Sequence, residues 1–435
     1  MRIVLTNVHN DDNRGSCALT WAALDMLLKA FPHARIGIEP IAALRNQVAG
    51  VARANPFRHT NRRYPGIDVL PPLFEGRGRM ALIRAGLLAW RTAKVFQLNV
   101  LRSEKHPTLE WIRNSDLAVS RGGLIFHTIP PNLRGDVGFL IRMLGVLAAQ
   151  QFGVPVALLG MHAGPFRTFA GNRLFRRIAG ESALALPRDA ISSAQIERIA
   201  GRSRRLQLPD SVFGLMLPVV DISHVFSSRG LRQELATLAL VVSSELTESD
   251  GFHVARLANA AMALREAGLI DQILIVVQAE RDRDISRLLA SLLSASPAIV
   301  VDEDLDPAQL VAVYAACRMV LSSRLHSVIL SFLGGTPAVS VATGLSFKEE
   351  AVMSLVGLGD LCAPVNHDHR TLVDLCTRVC RTHAAIRERV ASAVASARQS
   401  LSMVPDLLRG LPKSRSHAEG AVTDAVLARN CSAIQ

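Results

Sequence analysis

"RMVLSSRLHSVILSFLGGTPAVSV" (residues 318–341) reads as a strand, a helix and a second strand joined by short turns. "RMVLSS" (318–323) is an apolar run of strand length, "RLHSVILSFLGG" opens a helix that stops at two glycines, and "PAVSVAT" (337–343) is apolar again. Arg324 and His326 therefore sit at a strand's carboxyl end and a helix N-terminus. A guanidinium stays charged at any accessible pH and is costly to bury alone, so Arg324 needs an anion beside it. Histidine titrates near neutrality, and the helix N-terminus favours negative charge. The spacing thus predicts an anion-binding turn with a proton-transfer group.

The same alternation runs outward in both directions. Strand-like runs lie at 2–8, 35–41, 116–123, 155–166, 238–244, 272–278 and 298–304, with helical patterns at 16–31, 138–153, 253–268 and 306–317. Strands separated by helices predict an α/β fold of parallel sheets, doubly wound, with helices on both faces. The pattern breaks after "LPDSVFGL" (208–215) and then restarts. The expected organisation is an N-terminal Rossmann-like domain over 1–220, a second over 221–365, C-terminal helices over 366–410 and a mobile tail over 411–435. A basic, irregular insertion occupies about 55–105.

The chain has 435 residues, 49% of them hydrophobic, enough for two cores and too many for general disorder. Its formal net charge of +12 favours anionic partners, while 5% aromatic residues leave little for stacking nucleic-acid bases. No nucleic-acid partner is expected. Six cysteines without zinc-finger spacing fit a reduced, cytoplasmic protein, and no metal site is expected.

Ligands of doubly wound sheets bind beyond the carboxyl ends of strands, so the residues just after each strand are candidates. After the first come Asn13 and Gly15, ahead of a helix, where backbone N–H groups can cradle an anion or simply be capped. "SRGG" brings Gly122 and Gly123, which permit close approach to a ligand or a turn. "GMHAGPF" brings His162, and "ALPRDAISS" brings Arg188 beside Asp189, a pair that can bind an anion or form a local ion pair with a helix cap. No dinucleotide-binding glycine fingerprint and no phosphate-loop lysine motif is present.

Taken in order, "NRGSCALT", "DLAVSRGG", "GMHAGPF", "ALPRDAISS", "LPDSVFGL" and "SSRLHSVILSFLGGTPAVSVATGLSFK" resemble the pattern of the polysaccharide pyruvyl transferase family, across about residues 5–360. The resemblance implies a GT-B-like fold, two Rossmann-like domains facing a cleft. It implies an enzyme that moves the enolpyruvyl group of phosphoenolpyruvate onto a saccharide acceptor as a ketal, releases phosphate, and needs no cofactor beyond that donor substrate. His326 and Arg324 become the expected catalytic residues, and Arg188 and Lys348 the expected donor-binding ones, with the donor against the C-terminal half. Asn13, Gly15, Gly122, Gly123 and His162 are expected to serve substrate binding, chiefly on the acceptor side in the N-terminal half. A lipid-linked acceptor would bring the basic segment near 58–94 against the inner membrane face. Two other classes stay open: a GT-B-type glycosyltransferase using a nucleotide-sugar donor, and a non-catalytic binder of anionic ligands.

Overall fold

Apolar runs at the expected places build two parallel sheets. The first contains β1 (Arg2–Val8), β2 (Arg35–Pro40), β3 (Asp68–Val69), β4 (Leu117–Ser120), β5 (Gly123–Phe126), β6 (Val156–Ala163), β7 (Leu184–Pro187) and β8 (Arg204–Arg205). Its order is β3-β2-β1-β4-β6-β7-β8, with β5 also paired to β6. The second contains β9 (Thr237–Val241), β10 (Gln272–Val276), β11 (Ala298–Val301), β12 (Met319–Ser322), β13 (Ala338–Val341) and β14 (Cys362–Ala363), in the order β11-β10-β9-β12-β13-β14. Pairing is parallel within each sheet; Val320, for example, faces Ala239 on one side and Ala338 on the other. The computed structural model describes residues 1–41, 55–73, 105–199, 204–244, 250–294, 298–342, 348–364 and 368–412. Most of the basic insertion (74–104) and the tail from 413 lie outside the described residues.

The chain divides into two compact units, and the division differs from the boundary expected at 220. One unit holds Met1–His9, Ala23–Gln207 and the chain from Met403; the other holds Asn10–Ala22 and Leu208–Ser402. Backbone hydrogen bonds explain why residues 10–22 join the second unit. Arg14 N–H donates to the Gln278 carbonyl (3.2 Å), Glu280 N–H donates to the Asp12 carbonyl (3.1 Å), and Asn13 bridges Ala279. The helix His383–Leu401 also belongs there, because Arg398 donates to the Phe213 and Leu215 carbonyls and Arg389 pairs with Asp360. The helix Val404–Arg409 returns to the first unit, where Arg409 donates to the carbonyls of Lys29 and Ala30.

Two expected elements are split. The strand over 116–123 becomes β4 and β5, interrupted at Arg121 and Gly122. Gly122 has a φ of +83°, and a Cβ there would lie 1.7 Å from the Leu159 carbonyl oxygen, so the chain jogs where it crosses β6. The helix over 138–153 becomes Leu133–Arg142 and Leu144–Gln151. The Met143 N–H is shared between the carbonyls of Phe139 and Leu140, which tightens the turn and breaks the helix. Arg142, at the break, then donates to the carbonyls of Ile125 and His127 and fixes the end of β5.

The core of the first unit is aromatic on one side: Phe126 packs edge-on against Phe139 and Phe175, and Phe166 stacks on Phe175 with centroids 4.4 Å apart. Glu39, at the carboxyl end of β2, is buried in this unit, accepting from the Asn7 N–H (3.3 Å). It lies so close to the helix Leu144–Gln151 that a Cβ at Gly145 would sit 2.7 Å from Glu39 Oε2. Burial pushes the Glu39 carboxyl up from 4.5 to about 8, against the smaller opposite pull of the Asn7 N–H.

Between those two values the folded state holds a proton that the unfolded chain releases, so stability falls as pH rises through this window. The slope from this one group is up to about 1.4 kcal/mol per pH unit. Glu39→Gln removes it: urea midpoints measured at several pH values between 5 and 8 should decline less steeply for the variant than for the wild type. Parallel declines would show that Glu39 is already ionised in the folded protein.

Candidate active site

The order of the second sheet reverses between β9 and β12, and the carboxyl ends of these two strands meet at that switch point. Serines knit the turns together. Ser323 Oγ accepts from the Ser243 N–H (2.9 Å), and Ser322 Oγ accepts from the Arg324 N–H (2.8 Å). Arg324 precedes the helix Leu325–Leu333 and is buried. Its guanidinium forms a two-pronged ion pair with Asp282, Nε to Oδ2 at 2.5 Å and Nη2 to Oδ1 at 2.6 Å. Asp282 Oδ1 also accepts from the Ser244 backbone N–H and hydroxyl, each at 2.9 Å. The fork expected to grip a donor anion is thus turned onto a carboxylate of the protein itself. The anion that the sequence demanded for Arg324 is Asp282.

His326 is the second residue of the same helix. Its Nε2 lies 3.8 Å from Oδ2 of the buried Asp210, beyond hydrogen-bond length. Asp210 is itself fixed by the Val212 N–H, which donates to Oδ1 at 3.0 Å. On its other side His326 meets Gly15: a Cβ at position 15 would be 2.7 Å from the His326 Cβ and 2.8 Å from Nδ1. It would also be 2.7 Å from Gln278 Nε2. Gln278 in turn is hydrogen-bonded to Ser327, whose hydroxyl accepts from Tyr314 (3.2 Å). Glycine at 15 is what admits the imidazole.

Asn13 and Gly15 therefore stand with His326 in the second unit, and not with Gly122 and Gly123 as expected. The cradle expected there is also closed by the chain itself. The N–H groups of Gly15 and Ser16 both donate to Asn13 Oδ1, at 3.0 and 3.3 Å, an ordinary helix cap. Arg14 holds this turn in place through Asp304 (2.7 Å) and the Leu305 carbonyl (3.1 Å). Lys348 begins the helix Lys348–Leu355, with its ammonium 3.4 Å from the buried Glu349 carboxylate.

The remaining candidates occupy the first unit. His162, near the end of β6, places Nδ1 2.7 Å from Asp189 Oδ2. Asp189 Oδ1 caps the following helix at the Ser192 N–H (2.7 Å), and the Ser192 hydroxyl donates to Oδ2 (2.8 Å). Burial pushes the Asp189 carboxyl up, but His162 and the two Ser192 bonds outweigh it and hold the group below its ordinary range. The carboxylate next to Arg188 thus serves His162 and a helix cap. Arg188 itself is buried just after β7, its N–H donating to the Met161 carbonyl (3.1 Å). Gly122 and Gly123, both with positive φ, carry the jog from β4 to β5.

Sequence reasoning did not single out Asp282, Gln278 or Asp210 as working residues. Asp282 and Gln278 follow β10 and so lie at a strand's carboxyl end, the signal used for the other candidates. Asp210 lies inside "LPDSVFGL", a stretch with no local signal that marks its carboxylate.

Removing one partner of a buried ion pair strands the other, at about 3–5 kcal/mol. Asp282→Ala and Arg324→Ala should each lower the unfolding free energy, read from urea melts, by that order, and the double variant should lose clearly less than the sum of the two. Additive losses would mean that the pair does not hold the switch point together.

Comparison with known proteins agrees with this architecture. The chain is similar to UDP-GlcNAc 2-epimerase from Neisseria meningitidis bound to UDP-GlcNAc, at 10% identity and a TM-score of 0.54, covering 94% of this chain and 100% of that one. It is similar to HepE from Anabaena in complex with UDP and glucose, at 14% identity and a TM-score of 0.53, covering 94% and 98%. These likenesses show the fold alone: α/β, two Rossmann-like domains, as in GT-B-type glycosyltransferases and epimerases. No curated protein matches the chain in sequence. The profile of the family described as polysaccharide pyruvyl transferase matches residues 13–344, from the Asn13 cap to just beyond β13. The chain belongs to the polysaccharide pyruvyl transferase family, and is a transferase enzyme.

Proposed function

We propose that this enzyme transfers the enolpyruvyl carbons of phosphoenolpyruvate onto a saccharide of a cell-surface polysaccharide or its lipid-linked precursor. The family match supports the class of reaction, and one observation supports the residue: His326 stands at a helix N-terminus between Gly15 and the buried carboxylate of Asp210. A proton-transfer group works beside a group of opposite charge, and the buried Asp210 carboxylate stands 3.8 Å from the ring.

The chemistry asks for a group that both gives and takes a proton. Protonation of the donor's methylene carbon makes its C2 electrophilic, and a sugar hydroxyl adds there, losing its own proton. A second hydroxyl then displaces phosphate, closing the pyruvate ketal. His326 delivers and recovers the proton. Arg324, pinned by Asp282, holds the turn that carries His326 and keeps a fixed positive charge one residue from that helix. Arg188, just after β7, and Lys348, at the start of its helix, are cations suited to the donor's phosphate and carboxylate. His162, oriented by Asp189, together with Gly122 and Gly123, is assigned to the acceptor. The nucleotide-sugar reading draws support from the UDP-sugar ligands of the structural neighbours, and the test has to separate the two.

Purified protein should be stabilised against heating by phosphoenolpyruvate, because a ligand of the native state raises its melting temperature. It should release phosphate from phosphoenolpyruvate only when a saccharide acceptor is present. His326→Gln should slow release about 100- to 10,000-fold with an unchanged melting temperature. Stabilisation by UDP-sugars and not by phosphoenolpyruvate would overturn the reading, as would wild-type turnover in the His326 variant.

A further inference from the structure

The first unit exposes an apolar pair in a basic field. Leu133 and Phe169 are the first residues of the helices Leu133–Arg142 and Phe169–Glu181, and they are 77% and 82% exposed. Helix starts seldom place such side chains in water. The two starts are tied together: the Thr168 hydroxyl caps the second helix at the Gly171 N–H (3.1 Å) and donates to Asp136 of the first. Gly171 is needed for this approach, since a Cβ there would lie 2.3 Å from Thr128 Cγ2 and 2.9 Å from Asp136 Oδ1.

Charge surrounds the pair on one side of the scale. Arg134, Arg167, Arg173 and Arg176 are all exposed. Phe169, Arg173 and Arg176 recur at helical spacing, so they share a face, while Leu174, Phe175 and Ile178 of the same helix turn inward. The stretch "AGPFRTFAGNRLFRR" (163–177) has four arginines and no acid. The facing acidic groups are accounted for: Asp136 accepts from Thr168, and Glu181, at the far end of the helix, pairs with Arg177 (3.4 Å). Two helix N-termini add their own partial positive charge.

We propose that this face docks the protein onto an anionic lipid bilayer surface, with Phe169 and Leu133 entering the boundary between headgroups and acyl chains and the four arginines meeting lipid phosphates. Apolar side chains without a polar handle, ringed by arginine, suit that boundary. A second copy of the chain is disfavoured, because it would set like charges against one another. A single exposed phenylalanine is a poor stacking platform for nucleic acid, which uses several aromatic rings. No helix among the described residues is long and apolar enough to cross a membrane, so docking here is peripheral. The proposal does not depend on the donor substrate.

Vesicle sedimentation tests it, with phosphatidylcholine vesicles alone and with phosphatidylglycerol added. The full chain should bind only the anionic vesicles. Leu133→Ser with Phe169→Ser should weaken binding about tenfold. Arg167→Gln with Arg173→Gln should weaken it about fivefold per arginine. Both pairs are exposed, and an unchanged urea midpoint verifies the fold. Absence of wild-type binding overturns the proposal. Binding that neither pair alters also overturns it, because the contact would then lie elsewhere. Equal capture of polyuridine by the wild type and the Leu133/Phe169 variant, with vesicle binding lost in neither, would point to a polyanion site in its place.

Discussion

A permanently charged side chain set into the switch point of a parallel sheet has to be neutralised there, and the Arg324–Asp282 pair does it. Both groups are buried and each guanidinium prong has its own oxygen. The geometry joins the turn after β12 to the turn after β10, and Ser244 extends the join to β9. Three strand ends are held by one carboxylate. The helix that carries His326 starts from this junction, so the placement of the imidazole depends on this salt bridge. A buried pair of this kind adds little net stability by itself, because desolvation of the two charges offsets most of their attraction. Its value is in fixing one arrangement of loops.

Steric room is the second constraint. His326 fits because position 15 has no side chain, and the turn containing Gly15 is secured by the Asn13 cap and by Arg14 on Asp304. A segment that is early in sequence thereby becomes a wall of a site whose other parts come after residue 208. Asp210 then supplies the carboxylate facing the ring. The three positions lie in three separate stretches of the chain: Gly15 leaves space, Asp210 provides charge, and His326 presents the ring.

Much of this was legible beforehand. Strand–helix alternation located the sheets, because buried parallel strands are nearly continuous apolar runs and their connecting helices keep a 3.6-residue period. The Arg-Leu-His turn marked itself by placing charge where an apolar element should begin. What escaped was long-range. Nothing local in "NRGS" says that it will lie against residues 278–280, and nothing in "AERDRD" says which of its acids will meet Arg324. The paired glycines also carry the jog between β4 and β5 against the backbone of β6, a close approach invisible without the fold. The Arg188–Asp189 dipeptide suggested a local pair, whereas the carboxylate reaches 27 residues back in the chain to His162.

The way the chain is shared between the two units bears on how such enzymes could exchange parts. The second unit keeps residues 10–22, and the first takes back the chain from Met403. A hybrid made with one crossover at 207/208 would set a foreign turn at position 15 against the resident His326 helix, where only a residue without a side chain fits. To move a whole unit between relatives requires junctions at 9/10, 22/23, 207/208 and 402/403 together. A single crossover therefore always leaves at least one unit assembled from segments of two origins.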